Sequence, residues 1–221
     1  QRSLVGSEMC IRDRVEYGKR LSLARLCPGT SGNLSIYDPQ TGHMAITPSG
    51  IDYFSTRPED IVVTDLDGHI IDGNRKPSSE LNLHAAFYAR KDDVRAVVHT
   101  HSVFCTTLGI LGEPLRAVHF MIGAANAREI PLAPYVTFGT EKLAEVAVRF
   151  CRDAKAVLLA NHGLVACGNC LADALGLAET LEYVAELQYR ARCAGSPNVL
   201  TDEQVDAAIE RFGSYGQGNK S

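Results

Sequence analysis

His99-Thr100-His101 follows the apolar run Ala96-Val97-Val98, and His162 lies in Asn161-His162-Gly163, just after a second apolar run, Ala156-Val157-Leu158-Leu159. In extended chain, residues i and i+2 point to the same side, so the imidazoles of His99 and His101 converge and offer one ion a bidentate half-site. A glycine after His162 permits a tight turn that can return a third imidazole to the same point. Three histidines leave a catalytic metal an open position for substrate. Spacing alone leaves two matters open. Ordinary hydrogen bonding is the plainer reading of a lone His-X-His pair, and the pattern does not name the metal.

Other short motifs could hold an anion. Pro77-Ser78-Ser79-Glu80 sets two hydroxyls and their backbone N–H groups at a helix start, where orphan donors and the macrodipole favour negative charge. A simple serine N-cap is the alternative. Gly29-Thr30-Ser31-Gly32-Asn33 and Thr47-Pro48-Ser49-Gly50 are small-residue loops able to bring N–H groups and hydroxyls near a ligand, although ordinary turns would look the same. Neither has the lysine that follows the last glycine of a P-loop. Cys167-Gly168-Asn169-Cys170 has the spacing of a redox or zinc-knuckle pair, but no second Cys/His pair stands at suitable distance and its surroundings are apolar. His43, His69 and His84 fall in turns or on a helix without evident partners, which suits surface or core roles.

These residues need elements to position them. Leu21, Leu23, Ala24 and Leu26 suggest a helix from Val15 that stops before Pro28-Gly29. Strands are expected at Asn33–Tyr37 and Met44–Thr47 around an Asp38–Gly42 turn, and at Ile61–Thr64 and His69–Ile71 around Asp65–Gly68. Hairpins of this kind imply antiparallel pairing. A serine-capped helix is expected over Ser79–Arg90, then a buried strand over Ala96–Val98 that ends at His99. A helix after Gly139 comes next, with strands at Ala156–Leu159 and Leu164–Ala166 and a long helix over about Leu171–Ala194. Thr201-Asp202-Glu203-Gln204 reads as a capping box opening a last helix. The fold class is therefore α/β, a single domain with a mainly antiparallel central sheet flanked by helices.

The chain has 221 residues, 45% hydrophobic and 22% charged, with a formal net charge of −4. That composition suits one folded core and excludes general disorder. Lys and Arg form no runs, so the broad basic face that nucleic acid requires is absent. No apolar stretch approaches the ~20 residues that span a bilayer, and the N-terminus lacks the form of a signal peptide. Seven scattered cysteines suit reduced thiols in a cytoplasmic setting. Residues 1–14 fit neither periodicity and join abruptly to the segment that begins at Val15. They are set aside as a non-native leader, with one domain expected over residues 15–221.

From about Pro28 to Gly216 the chain resembles the class II aldolase/adducin family. The likeness is carried by Pro77-Ser78-Ser79-Glu80, Val98-His99-Thr100-His101, Ala133-Pro134-Tyr135-Val136-Thr137-Phe138-Gly139-Thr140, Asn161-His162-Gly163-Leu164 and the tail Arg211-Phe212-Gly213-Ser214-Tyr215-Gly216. The resemblance implies one Zn²⁺ per subunit, or another divalent metal, held by His99, His101 and His162. Glu80 would be a fourth ligand and the catalytic acid/base. Thr30, Gly32, Asn33, Ser49, Gly50, Ser78 and Ser79 would bind a substrate phosphate. A homotetramer with sites between subunits is implied, to which Tyr215 and the segment around Phe138 contribute.

The implied reaction is reversible cleavage of L-fuculose 1-phosphate, or a close 5-deoxy or methylthio ketose 1-phosphate, to dihydroxyacetone phosphate and a short aldehyde such as L-lactaldehyde. Where the fuculose-cleaving members carry a proton-donating tyrosine, this chain has Phe120, which has no proton to give. The task would pass to Tyr215, Tyr135, His119 or water. Related members epimerise, dehydrate or decarboxylate sugar phosphates, and the adducin branch is structural. Retention of all three histidines and Glu80 argues against the structural role.

Overall fold

The computed structural model describes residues 8–213, with side chains from Arg14 onward. Its strands are β1 (Asn33–Asp38), β2 (His43–Ile46), β3 (Val62–Thr64), β4 (Ile70–Asp72), β5 (Ala96–Thr100), β6 (Leu132–Ala133), β7 (Ala156–Leu159) and β8 (Gly163–Gly168). The helices are α1 (Glu8–Leu23), α2 (Leu81–Arg90), α3 (Val103–Leu111), α4 (Glu141–Cys151), α5 (Leu171–Ala194) and α6 (Asp202–Gly213). The strands form one eight-stranded sheet in the order β4-β3-β2-β1-β5-β8-β7-β6. Among the described residues, the β6–β7 pair alone is parallel. The fold is thus the expected α/β domain with a mainly antiparallel sheet.

Alternation along the strands sends side chains to two cores. Ala96 and Val98 of β5, with Leu158 and Leu164, join the core under α5, α3 and α1. Val97, with Val157 and Val165, joins the core under α2 and α4 on the other face. Helix α5 buries Leu171, Ala174, Leu175, Ala178, Leu181 and Ala185, a three-and-four spacing that lays one stripe on the sheet. Among the described residues, no helix is long and apolar enough to cross a membrane.

Both expected hairpins pair antiparallel, with Ser35 opposite Ile46 in the first and Thr64 opposite Ile70 in the second. The capping box is reciprocal: Gln204 N donates to Thr201 Oγ1 at 3.3 Å, and Thr201 N donates to Gln204 Oε1 at 2.9 Å. Three expectations need correction. Helix α1 begins at Glu8, not Val15, and runs through the segment set aside as a leader. Its buried stripe is Arg14, Gly18 and Leu21, at helical spacing, but two of the three are not apolar, so no apolar periodicity reveals it. Gly18 is needed there, since a Cβ would lie 2.6 Å from the Tyr53 ring.

Helix α2 starts at Leu81, two residues later than expected, and no serine hydroxyl caps it. Helix α3 was not expected at all. Its sequence is as apolar as a buried strand, and its first turn is held by Glu182 of α5, which accepts from Phe104 N at 2.8 Å and Cys105 N at 2.9 Å. A cap supplied from a distant helix leaves no local signature.

Candidate active site

Strand register fixes where the histidines meet. In β5, His99 lies opposite Asn33 of β1 and opposite Val165 of β8. His101 comes directly after the strand, its N–H donating to Leu26 O at 3.0 Å. The β7–β8 turn returns His162 to the same end of the sheet, with Asn161 in the left-handed region at φ 54°. Sequence reasoning gave Gly163 the turning role, but its need is different. A Cβ on Gly163 would lie 2.0 Å from Thr100 O, so only glycine lets the two strand ends approach.

The anion loops are tied to each other and to α2. Pro48 and Pro77 form an isolated antiparallel bridge. Ser49 N donates to Lys76 O at 3.0 Å, and Ser78 N donates to Thr47 O at 3.1 Å. Ser78 Oγ accepts from Glu80 N at 3.2 Å, so this hydroxyl orients the glutamate and not the helix. Glu80 occupies the N-cap position of α2, yet its carboxylate makes no cap hydrogen bond. It turns toward the histidines.

His99 Nε2 lies 2.9 Å from His101 Nε2 and 3.2 Å from His162 Nε2. Glu80 Oε2 is 3.1 Å from His99 Nε2, and Oε1 is 3.2 Å from His162 Nε2. His99 Nδ1 is 2.9 Å from Leu164 O, a carbonyl that can only accept. Nδ1 therefore carries the hydrogen, and in the neutral ring Nε2 presents its lone pair. Glu80 Oε1 is buried and has no hydrogen-bond partner among the described residues. Lone pairs crowded this way repel unless a cation or proton lies among them.

A divalent metal fits this donor set. Metal–nitrogen bonds of about 2.0–2.1 Å in a tetrahedron would place ligand atoms roughly 3.3–3.4 Å apart, close to what the four side chains already show. Burial, with His99 and His162 beside it, pulls His101 down to about 3, which keeps its ring neutral and able to ligate. Burial opposes the charge on Glu80, but positive charge at His99 and His162, where a cation or proton would sit, outweighs it and holds the carboxyl well below its ordinary value. The second acidic cluster, Asp65, Asp67 and His69, is largely exposed, and His69 Nδ1 pairs with Asp65 at 2.8 Å.

These ligands open into a cleft of about 330 Å³. Thr30, Gly32, Asn33, Ser49, Gly50, Ser78, Ser79, Glu80, His101, His162 and Phe138 all line it, and His99 is fully buried beside it. Tyr135, a candidate for the missing proton donor, lines it too, as do Ser31, Pro48 and Asn161 from the quoted motifs. Among the described residues no Lys or Arg does, so hydroxyls and backbone N–H groups dominate its polar wall. Phe120 is elsewhere. It stacks on Phe212 with centroids 6.3 Å apart and lines a separate apolar cleft with Met121 and Ala208. Tyr215 lies outside the described residues.

Two readings of single residues change. His84 is not partnerless: it is fully buried, with Nε2 2.5 Å from Asn33 Oδ1 and Nδ1 2.6 Å from Ser35 Oγ. Likewise His69 has Asp65 as its partner. His43 opens β2 opposite Asp38. Cys167 is buried, Cys170 is exposed and both are free thiols, with burial pushing the Cys167 thiol well up. An inert core thiol of this kind is not half of a redox pair.

Over residues 12–189 the sequence matches the family described as Class II Aldolase and Adducin N-terminal domain. The 5-deoxy-D-ribulose 1-phosphate aldolase of Bacillus thuringiensis serovar kurstaki is 43% identical over 203 residues, covering 92% of this chain and 95% of that protein. The L-fuculose phosphate aldolase of Escherichia coli K12 is 42% identical over 189 residues, covering 85% and 86%. A solved structure of L-fuculose 1-phosphate aldolase superposes with a TM-score of 0.91 at 41% identity, covering 94% of this chain and 97% of that one. The family match takes in the three histidines, Glu80 and every residue that lines the cleft. With this sheet, this four-residue donor set and that extent of likeness, the chain belongs to the class II aldolase and adducin family.

Proposed function

We propose that this protein is a metal-dependent aldolase that reversibly cleaves the C3–C4 bond of a short ketose 1-phosphate, giving dihydroxyacetone phosphate and a small aldehyde. The observation that carries the reading is the Glu80 carboxylate, buried 3.1 Å from His99 Nε2 at the edge of a hydroxyl-lined cleft. Three imidazoles and one carboxylate suit Zn²⁺, one per subunit, better than an oxygen-preferring ion. Substrates ending in a methyl group come first. The 43% identical relative is named for 5-deoxy-D-ribulose 1-phosphate, whose C3–C4 cleavage yields acetaldehyde. L-Fuculose 1-phosphate, which would yield L-lactaldehyde, comes second.

When bound, the metal acts as a Lewis acid that stabilises the negative charge released as the C3–C4 bond breaks. Glu80, ionised at rest, takes up a proton equivalent to the one that leaves the C4 hydroxyl as the bond breaks and gives it to C3 of the three-carbon fragment; in condensation it removes the C3 proton and the new C4 oxygen gains one. The hydroxyls of Thr30, Ser49, Ser78 and Ser79, with the backbone of Gly32 and Gly50 and the amide of Asn33, hold the phosphate. In this role the cleft holds the anion by oriented N–H and O–H dipoles, since no Lys or Arg among the described residues lines it. Phe138 and Tyr135 form an aromatic rim, 63% and 61% exposed, available to substrate or to a neighbouring copy. A cytoplasmic homotetramer with shared sites, including Tyr215 and Phe120 from a neighbour, completes the reading.

The test is proton exchange at C3. Zinc-loaded protein given dihydroxyacetone phosphate in deuterated water should wash the C3 proton out, and Glu80→Gln should slow this by about 10²–10⁴-fold. Acetaldehyde and L-lactaldehyde then identify the product. Exchange at the parental rate in Glu80→Gln would remove Glu80 from the acid/base role. Exchange without any condensation would point to a related reaction on a sugar phosphate.

A further inference from the structure

From Asn33 at the cleft a chain of buried polar groups runs back into the fold, and three of its members, His84, Ser35 and Tyr88, have no part in the aldol reaction. Asn33 Nδ2 is 3.1 Å from Glu80 Oε2. Asn33 Oδ1 is 2.5 Å from His84 Nε2, His84 Nδ1 is 2.6 Å from Ser35 Oγ, and Ser35 Oγ is 2.6 Å from Tyr88 Oη. All four residues behind the carboxylate are buried: Asn33 at 5%, Ser35 and His84 at 0% and Tyr88 at 5% exposure. In the apolar flank of the sheet such a set must be satisfied member by member. It also joins three parts of the fold, β1 through Asn33 and Ser35, α2 through His84 and Tyr88, and the cleft through Glu80.

The charge at one end dictates every hydrogen along it. An ionised carboxylate only accepts, so the Asn33 group facing Glu80 is its NH₂. The Asn33 oxygen is then turned to His84, and it also only accepts. His84 must therefore donate from Nε2, which leaves Nδ1 of the neutral ring as an acceptor. Ser35 fills that acceptor with its hydroxyl hydrogen, and its lone pair takes the hydrogen of Tyr88. If the ring held its hydrogen at Nδ1 instead, two acceptors would face each other at 2.5 Å, and the Asn33 amide would turn its oxygen to Glu80.

We infer that His84, held as its Nε2-protonated tautomer by Ser35 and Tyr88, is a positioning residue that locks the Asn33 amide against Glu80. Its action is indirect, as His84 touches neither the donor set nor the cleft. The lock serves two ends. It leaves Glu80 Oε2 one fixed donor whichever way the carboxylate leans during proton transfer, and it keeps an N–H, not an oxygen, of Asn33 at the anion side of the cleft. The effect on turnover rests on the aldolase reading of Glu80, whereas the tautomer does not.

Two measurements test it on the full-length, zinc-loaded protein. Long-range ¹H–¹⁵N correlation of the His84 ring should give a protonated nitrogen at ε2 and an unprotonated one at δ1 near neutral pH. The reverse tautomer, or a doubly protonated ring, overturns the inference whatever the activity. For turnover, His84→Leu removes both hydrogen bonds at similar volume, while a glutamine can offer an amide N–H toward Asn33 and an oxygen toward Ser35. His84→Leu should slow C3 exchange by roughly 10–100-fold, the range for partners that orient a catalytic group. His84→Gln should recover most of the loss. Parental exchange in His84→Leu, or equal impairment of the two variants, overturns the positioning role. Undiminished exchange in Glu80→Gln would instead sink the aldolase reading, and the nitrogen spectrum still decides the tautomer. If His84→Leu fails to fold, that spectrum and His84→Gln, with its expected near-parental rate, carry the test.

Discussion

Glu80 occupies the N-cap position of α2 and gives up the cap, a contact ordinarily worth about 1 kcal/mol, to face His99 and His162. Four lone-pair-bearing side chains gathered in a buried place oppose folding until a cation joins them. Metal binding should therefore register as stability. At a free zinc level about 1,000 times the dissociation constant, linkage adds about 4 kcal/mol, or roughly 10 °C in the midpoint of a chain this size. Thermal scans with and without zinc should show that rise in the parent, and His99→Ala should lose nearly all of it. An equal rise in His99→Ala would place the metal elsewhere. Acid should act through His84 as well. Burial first, then the nearby His99, pulls it from 6.5 down to about 3, with Glu80 partly opposing. The unfolded chain thus binds the extra proton between those values, so this contribution is complete above about 6.5 and fades as the pH falls toward 3. Urea midpoints taken from about pH 7.5 to about pH 5, which covers the upper part of that window, should fall in the parent and fall less in His84→Gln. A parallel decline in both would show that other groups carry the acid sensitivity.

Where two strand ends must touch, one hydrogen atom on Gly163 is all the space allows, since a methyl would lie 2.0 Å from Thr100 O. Gly163→Ala should cost about 1–3 kcal/mol or more, as overpacking does, and should loosen His162 with it. Gly176 is the contrasting case. It sits inside α5 with open space where a methyl would point, so Gly176→Ala should add about 0.5–1 kcal/mol. Denaturant unfolding of the two variants checks both signs, and a stabilising Gly163→Ala would deny the close approach. Much at this scale was legible in the sequence. Helix α5 and strand β7 have the bounds their apolar patterns give, and the capping box at Thr201 is purely local. What escaped was held from afar or written in non-apolar residues: the Arg14-Gly18-Leu21 stripe of α1, and α3 with its cap from Glu182. In the site, the metal set was legible as three histidines on strand ends plus a resemblance. The role of His84 was not, because Asn33 lies 51 positions away and only the β1–α2 packing joins them.

The whole molecule has its two aromatic features of interest in different places. Phe138 and Tyr135 rim the cleft that holds the donor set, while Phe120, 54% exposed, lines an apolar cleft beside α6. Within one chain, then, the residue standing where fuculose-cleaving relatives are expected to have a tyrosine cannot act on substrate in the cleft. It can do so only through a second copy. That makes the substitution Phe120→Tyr a test of assembly and of specificity together. In a homotetramer, four times 23.9 kDa by light scattering, a new phenol reaching a neighbour's cleft should raise condensation with L-lactaldehyde. A positioned proton donor is worth about 10²–10⁴-fold at most, and a tenfold gain is enough to register. Acetaldehyde, lacking the hydroxyl of L-lactaldehyde, should gain less, because an apolar ring already suits its methyl. Mixing subunits then separates trans from cis action. His99→Ala supplies Phe120 but no metal site, and Phe120→Ala supplies a metal site with an impaired neighbour. Mixed tetramers contain clefts with both parts intact, so their rate should exceed the sum of the two separate proteins. A rate equal to that sum, in protein shown to have exchanged subunits, would confine each cleft to its own chain and leave Phe120 a surface residue packed on Phe212.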